Sequence, residues 1–139
     1  MNKTYVLDAN AILNLVEDHA GAHRMERLIE EAVHQGTPLL MSVLHWGEVF
    51  YLAWQRHGEE KARQTMGNLS RLPIDLIPVD LPQALKAAEI KAVHKVPYVD
   101  SIAAGLAELR QATLVTADRD FDKLGRRIPI LWIARPSSA

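Results

Sequence analysis

Residues 4–16 read TYVLDANAILNLV. A β-rich run of four ends at a single acid, Asp8. From Ala9 onward Ile12, Leu13, Leu15 and Val16 recur at helical spacing. A strand that passes through one acid into a helix is half of a strand–helix–strand unit, and the rest of the chain repeats the pattern. In 22–35, Met25, Leu28, Ile29, Ala32 and Val33 mark one helical face, and Gly36 supplies the stop. Residues 38–41 read as a buried strand, and Ser42 is placed to cap a helix over 43–57 that ends at Gly58. A weaker helix over 59–69 is closed by Pro73. Residues 75–79 form a third strand, placed at a sheet edge by Pro78. Residues 81–94 are helical with Pro82 in the first turn. After the loop holding Pro97, residues 98–110 are helical again. Residues 113–116 are a strand, 117–124 a loop or short helix, and 130–133 the last strand.

Strands alternating with helices call for a parallel sheet with helices on both faces, and short apolar strands without polar alternation agree with burial on both sides. The chain has 139 residues, one domain's worth, and shows no repeat or linker. Residues 1–134 are expected to form that domain and residues 135–139 a frayed tail. Hydrophobic residues make up 48% and charged residues 24%, which argues against wholesale disorder. No cysteine is present, so disulfide frameworks, zinc fingers, iron–sulfur sites and thiol catalysis fall away together. The longest stretch free of Lys, Arg, Asp and Glu, 32–47, is too short and too polar to span a bilayer. Asp8 interrupts the apolar run near the start, so no secretory signal is expected, and the expected compartment is the cytoplasm. The net charge of −1 argues against a bulk polyanion binder, although a local acidic cluster can mask a basic remainder.

In open parallel sheets ligands bind beyond the carboxyl ends of the strands, at a switch in strand order. Asp8 directly follows the first strand and Ser42 the second. Asp118 follows the fourth, with Asp120 and Asp122 close behind. Two further acids sit inside helices. Glu48 has Leu44, Tyr51 and Leu52 as its helical neighbours, and Asp100 shares a face with Ala103, Ala104 and Ala107, small residues that let a helix approach the sheet. A carboxylate on a buried face needs a cation, a hydrogen bond or a proton. Several converging, with no Lys or Arg fixed beside them in sequence, are how Mg²⁺ or Mn²⁺ is bound. Each acid also has a plainer reading. Asp8 and Asp100 stand where helix caps stand, Asp118, Asp120 and Asp122 resemble a solvated turn, and Glu48 faces water if its helix is rotated.

Other candidates carry less. His19 and His23 are four apart, like a zinc-binding helix pair, but Gly21 lies between them and no Glu follows His19. His34, His45, His57 and His94 are scattered and read as surface or rim residues. Trp46, Phe50, Tyr51 and Trp54 cluster on one helix, with Phe50 and Trp54 read as core and part of the cluster suited to an interface. No glycine-rich phosphate loop and no Ser–His–Asp arrangement is present.

VLDANAIL at 6–13, Glu48, YVDSIAAGLA at 98–107 and LVTADRDFDKL at 114–124 together resemble a PIN-domain ribonuclease, most like the VapC toxins of bacterial toxin–antitoxin pairs. The resemblance spans essentially the whole chain. It implies an acidic quartet of Asp8, Glu48, Asp100 and Asp118 holding one or two Mg²⁺ or Mn²⁺ ions, with Asp120 as an auxiliary acid and Asn10, Ser42 and Thr116 steadying the quartet. It implies a five-stranded parallel sheet ordered 3-2-1-4-5, hydrolysis of RNA to 5′-phosphate and 3′-hydroxyl ends, a cognate antitoxin and a homodimer. The segment MSVLHWGEVFY at 41–51 departs from the pattern, with Trp46 and Gly47 just before Glu48 leaving the helix register open.

Arg119, Lys123, Arg126 and Arg127 flank the acidic loop and are candidate contacts for the RNA backbone, beside the plainer reading of a solvated face. Three rivals stand next to the toxin reading. One is an RNA-processing nuclease of the same fold outside a toxin–antitoxin pair. Another is a phosphatase using Asp8 as nucleophile, as in the haloacid dehalogenase superfamily, which wants a second Asp where this chain has Asn10. The last is a binding member of the fold with a silent site. With the five candidate acids set aside, the 16 Lys and Arg outnumber the remaining Asp and Glu, so the −1 is compatible with an acidic pocket set in a mildly basic remainder.

Overall fold

The computed structural model describes residues 3–134; the tail expected over 135–139 lies outside them. The elements run β1 (Tyr5–Leu7), α1 (Ala9–Val16), α2 (Ala22–Gln35), β2 (Leu39–Ser42), α3 (Val43–His57), α4 (Glu59–Leu69), β3 (Ile74–Ile77), α5 (Leu81–His94), α6 (Tyr98–Leu109), β4 (Thr113–Thr116), a 3₁₀ helix (Arg119–Leu124) and β5 (Ile130–Trp132). All five strands pair in parallel in the order β3-β2-β1-β4-β5. This is the expected α/β architecture, and β3 is an edge strand as Pro78 implied. Pro78 itself falls just past the strand, where its missing N–H costs no ladder bond.

Successive strand residues serve opposite faces. Leu7, Leu39, Met41 and Val115 join Ile12 of α1, Met25 and Leu28 of α2, Val49 of α3 and Leu69 of α4 in one core layer. Val6, Leu40 and Leu114 join Ile90 of α5 and Ala103, Ala104, Leu106 and Ala107 of α6 in the other. The small residues of α6 let it lie close to its neighbours: a side chain added at Gly105 would come within 3.2 Å of the Ala87 backbone nitrogen of α5. Phe121, fully buried in the same layer, anchors the 3₁₀ helix that follows β4.

Helix ends follow the sequence signals. Gly36 takes the left-handed conformation, φ 67°, at the end of α2. Asp80 caps α5 and Ser42 caps α3. The C-terminal ends of α1 and α3 are tied by Glu17, which accepts from Arg56 Nη1 at 2.6 Å and lies 3.1 Å from His57 Nε2. No described helix is long and apolar enough to cross a membrane.

Two expectations on α3 are corrected. Trp54 is not core: it is 41% exposed, because α4 covers only part of that face, and Phe50 beneath it is half-buried. His45 is not a rim residue: it is 1% exposed, on the helical face it shares with Val49 and Ala53.

Candidate functional site

Strand β1 has β2 on one side and β4 on the other, so the chain reverses its winding at the carboxyl end of β1. A crevice is expected there. Asp8 stands at that point, 3% exposed, and caps α1 by accepting from the Ala11 backbone N–H at 2.8 Å through Oδ1. Its other oxygen, Oδ2, accepts from Thr116 Oγ1 at 2.7 Å. The Thr116 hydroxyl in turn accepts from the Asp118 backbone N–H at 2.9 Å. One hydroxyl at the end of β4 therefore fixes both the β1 acid and the turn that carries the β4 acid. Asn10 completes the bracket, its Oδ1 accepting from the Ala117 N–H at 2.8 Å while Asn14 Nδ2 donates to the Asn10 carbonyl at 3.0 Å.

The cap reading of Asp8 holds, and it is compatible with the site reading. The cap fixes the carboxylate at the crevice floor. Asp118 behaves similarly, its Oδ1 accepting from the Asp120 N–H at 2.9 Å to start the 3₁₀ helix. Asp100 arrives in the first turn of α6, and Glu48 from the middle of α3. Ser42 is fully buried and contributes indirectly: its hydroxyl accepts from the Leu44 N–H at 3.2 Å, capping the helix that carries Glu48.

Asp8, Glu48, Asp100 and Asp118 line one cavity of about 170 Å³, together with Asn10, His45 and the apolar Leu13 and Leu52. One carboxylate oxygen from each of Asp100, Asp118 and Asp120 lies within 4.8 Å of the others. Among the described residues no Lys or Arg forms an ion pair with any of the five acids. The cost shows in their proton affinities. Burial, opposed by the bonds from Thr116 and Ala11 and reinforced by Asp100 and Asp118, raises the Asp8 pKa to about 7. Burial and then Asp118, Glu48 and Asp120 raise Asp100 to about 6, with Lys123 opposing. Burial and Asp118 also raise Glu48. These acids are held together without counter-charge, the condition that a hard divalent cation relieves. An all-oxygen donor set fits Mg²⁺ or Mn²⁺ and lacks the thiolates that softer ions favour.

Sequence reasoning missed His45 in this cavity. It occurs three residues before Glu48 on the same turn-to-turn face, so helical spacing from Glu48 and Val49 would have found it. Neither ring nitrogen has a hydrogen bond of normal geometry among the described residues. Burial lowers its pKa to about 4, the nearby Val99 backbone opposing only in part, so the ring is neutral at pH 7.

The four flanking cations divide. Lys123 and Arg126 are exposed. Arg119 pairs with Asp122 at 3.1 Å and stacks its guanidinium 4.0 Å over the Trp132 ring. Arg127, the last candidate, is paired within the chain: Glu108 at 2.7 Å and Glu89 meet its guanidinium. Asp122 is likewise drawn to Arg119 rather than to the acid cavity. His19 lies 3.6 Å from Glu17, apart from His23 and outside any metal cluster among the described residues.

The PIN domain family model matches residues 5–127. The chain belongs to the PIN domain family. No curated protein matches it in sequence. The PIN fold is shared with solved structures of low identity. One, VapBC2 from Rickettsia felis bound to a DNA fragment from their promoter, has TM-score 0.76 and 15% identity over 92% of this chain and 97% of that one. A second, DNA-bound VapBC from Salmonella typhimurium, has TM-score 0.73 and 20% identity over 96% of this chain and 100% of that one. A third, the sarcin–ricin loop cleaving toxin VapC20 from Mycobacterium tuberculosis, has TM-score 0.70 and 16% identity over 88% and 95%. The similarity covers nearly the full length of all three.

Proposed function

We propose that this PIN domain is a metal-dependent endoribonuclease, the toxin of a VapBC-type pair, using Asp8, Glu48, Asp100 and Asp118. The observation that carries the reading is four carboxylates gathered at the sheet's switch point with no cationic partner among the described residues. Asp100, Asp118 and Asp120 are the best-gathered set for one Mg²⁺ or Mn²⁺, with Asp8 on the cavity floor and Glu48 across from it as further ligands or water-holding groups. Such an ion, when bound, supplies an acidified water and offsets the charge that develops on a phosphodiester.

The protein's own part is positional. Thr116 and the α1 N-terminus hold the Asp8 carboxylate in one orientation. Asn10 and Thr116 fix the backbone of the β4 turn, so Asp118 faces Asp8 with little freedom. Leu13, Leu52 and the neutral His45 ring wall the cavity and limit water to the open side. The phosphatase alternative loses ground because the position of its second acid is Asn10, whose amide oxygen is already committed to the Ala117 N–H.

The low-identity structural neighbours include toxin–antitoxin complexes, and on that likeness we extend the proposal to a cognate antitoxin; an RNA substrate and a homodimer are added on the family resemblance. The lack of cysteine fits work in the reducing cytoplasm. The test is cleavage of RNA by the purified chain with Mg²⁺ or Mn²⁺, compared with Asp8→Asn. We expect cleavage that chelation abolishes and that the variant loses; undiminished cleavage by a folded Asp8→Asn protein removes the quartet assignment.

A further inference from the structure

A second cavity opens beside the acids, on the far side of Arg119. It is an open groove of about 480 Å³ where the start of α2 meets the end of β5, and Arg24, Arg27, His23, Arg119 and Trp132 line it with Ala20, Ile133 and Ala134. Among the described residues no acidic side chain lines it. Arg24 and Arg27 lie one helical turn apart, both exposed, and neither forms an ion pair among the described residues. Arg56, Arg63, Arg119 and Arg127 each meet a carboxylate, whereas Arg24 and Arg27 belong with Arg71, Arg110 and Arg126 among the described arginines that form no ion pair, and of these only Arg24 and Arg27 share a groove.

The groove shares no lining residue with the carboxylate cavity but lies close to it through two short links. Arg119 directly follows Asp118. Trp132 is the register partner of Thr116, the residue that donates to Asp8, and parallel strands lie about 4.8 Å apart. The Arg119 guanidinium is stacked 4.0 Å from the Trp132 ring centroid, forming a flat cationic plane at the mouth of the groove. Unpaired nucleobases stack on aromatic rings and on guanidinium planes, and phosphates are held by unpaired arginines.

We infer that a single-stranded RNA running out of the carboxylate cavity follows this groove, one base extending the Arg119–Trp132 stack and neighbouring phosphates meeting Arg24 and Arg27. This rests on the ribonuclease reading for the direction of the strand and supplies what that reading lacks, a substrate-holding surface. A duplex is disfavoured because its bases are already stacked. An acidic protein segment fits the charge but gives the stacked plane nothing to do.

The experiment is fluorescence anisotropy with a short, unstructured, fluorescein-labelled single-stranded RNA, using full-length protein carrying Asp8→Asn, in EDTA to prevent cleavage. Arg24→Glu with Arg27→Glu changes only exposed side chains on α2. It is expected to weaken binding about tenfold or more and to lower the slope of log affinity against log salt by about 1.4, the loss of two phosphate contacts. Trp132→Leu keeps an apolar residue at the edge strand and is expected to weaken binding about tenfold through loss of one stacked base. Affinities and salt slopes matching the parent in both variants overturn the groove. If the wild-type chain still cleaves RNA with metal in that case, the ribonuclease reading survives without it. If the wild-type chain cleaves no RNA but the double variant loses oligonucleotide binding, the groove stands and the catalytic reading fails. A double variant that keeps RNA and loses only an acidic peptide makes the groove a protein surface and overturns the inference.

Discussion

Two clusters of acids lie on this domain, and they are built in opposite ways. On the α5–α6 surface, Glu108 meets Arg127 at 2.7 Å and Lys86 at 3.0 Å, and the arginine's bonds hold the Glu108 pKa down at about 2. Glu89 beside it is also lowered, first by Arg127. At the carboxyl ends of β1 and β4, Asp8 rises to about 7 and Asp100 to about 6, with burial the leading cause in each. The first cluster is neutralised by its own chain. The second is left uncompensated, although the chain has enough cations to pair it. Compensated acids hold elements together; uncompensated ones in a crevice are candidates for a functional site, here proposed to take an external cation.

If that contrast is right, the largest effects come from the second cluster. Asp100→Asn should reduce metal-dependent RNA cleavage at least a hundredfold, on the order of the loss from removing a group that stabilises the transition state. Glu108→Gln should leave cleavage within about twofold and cost about 1 kcal/mol of stability, because the pair is partly solvated. Equal losses of activity from the two variants, measured as initial cleavage rates, would erase the distinction.

A smaller effect is a pH signature in the metal-free protein. Asp8 has a folded pKa of about 7 against an ordinary value of 3.8. Between those values the folded chain keeps a proton that the unfolded chain has lost, so this contribution is intact below about pH 4 and is lost as the pH rises to about 7. His45 acts the other way, its lowered pKa of about 4 costing stability as the pH falls below 6.5. Comparison with Asp8→Asn isolates the first term. In EDTA the parent should lose more melting temperature than the variant on going from about pH 4 to about pH 7, and divalent metal should restore it at the higher pH. Parallel melting curves for parent and variant would contradict the uncompensated picture.

The subtlest expected change is at Thr116. Thr116→Val keeps the shape but removes the hydroxyl shared between Asp8 and Asp118. Cleavage should fall about tenfold with little loss of metal affinity, because the hydroxyl orients one carboxylate rather than supplying a ligand.

The candidate acids could be placed at one edge from the sequence because Asp8 and Asp118 each follow a strand and Asp100 opens a helix whose alanines announce burial. The sheet order came from family likeness, since strand pairing depends on contacts far apart in sequence. Other features needed the packed chain. His45 is buried because α3 turns that face toward the acids, whereas a lone histidine in sequence reads equally well as exposed. Arg127 is claimed by Glu108 and Glu89 only once α5 and α6 pack together. Trp54 escapes the core because α4, already weak in apolar residues, leaves it half covered. The groove of Arg24, Arg27 and Trp132 joins α2 to β5 across nearly the whole chain.

The most direct measurement is calorimetric titration of the metal-free protein with Mn²⁺, run on the parent and on Asp100→Asn at neutral pH. The parent should bind saturably, at one or two sites, and the substitution should remove that binding or weaken it at least tenfold, in the range typical when a metal site loses a contributing group. Absence of binding by the parent, or binding that Asp100→Asn leaves unchanged, would contradict the claim that these carboxylates are gathered to hold a metal.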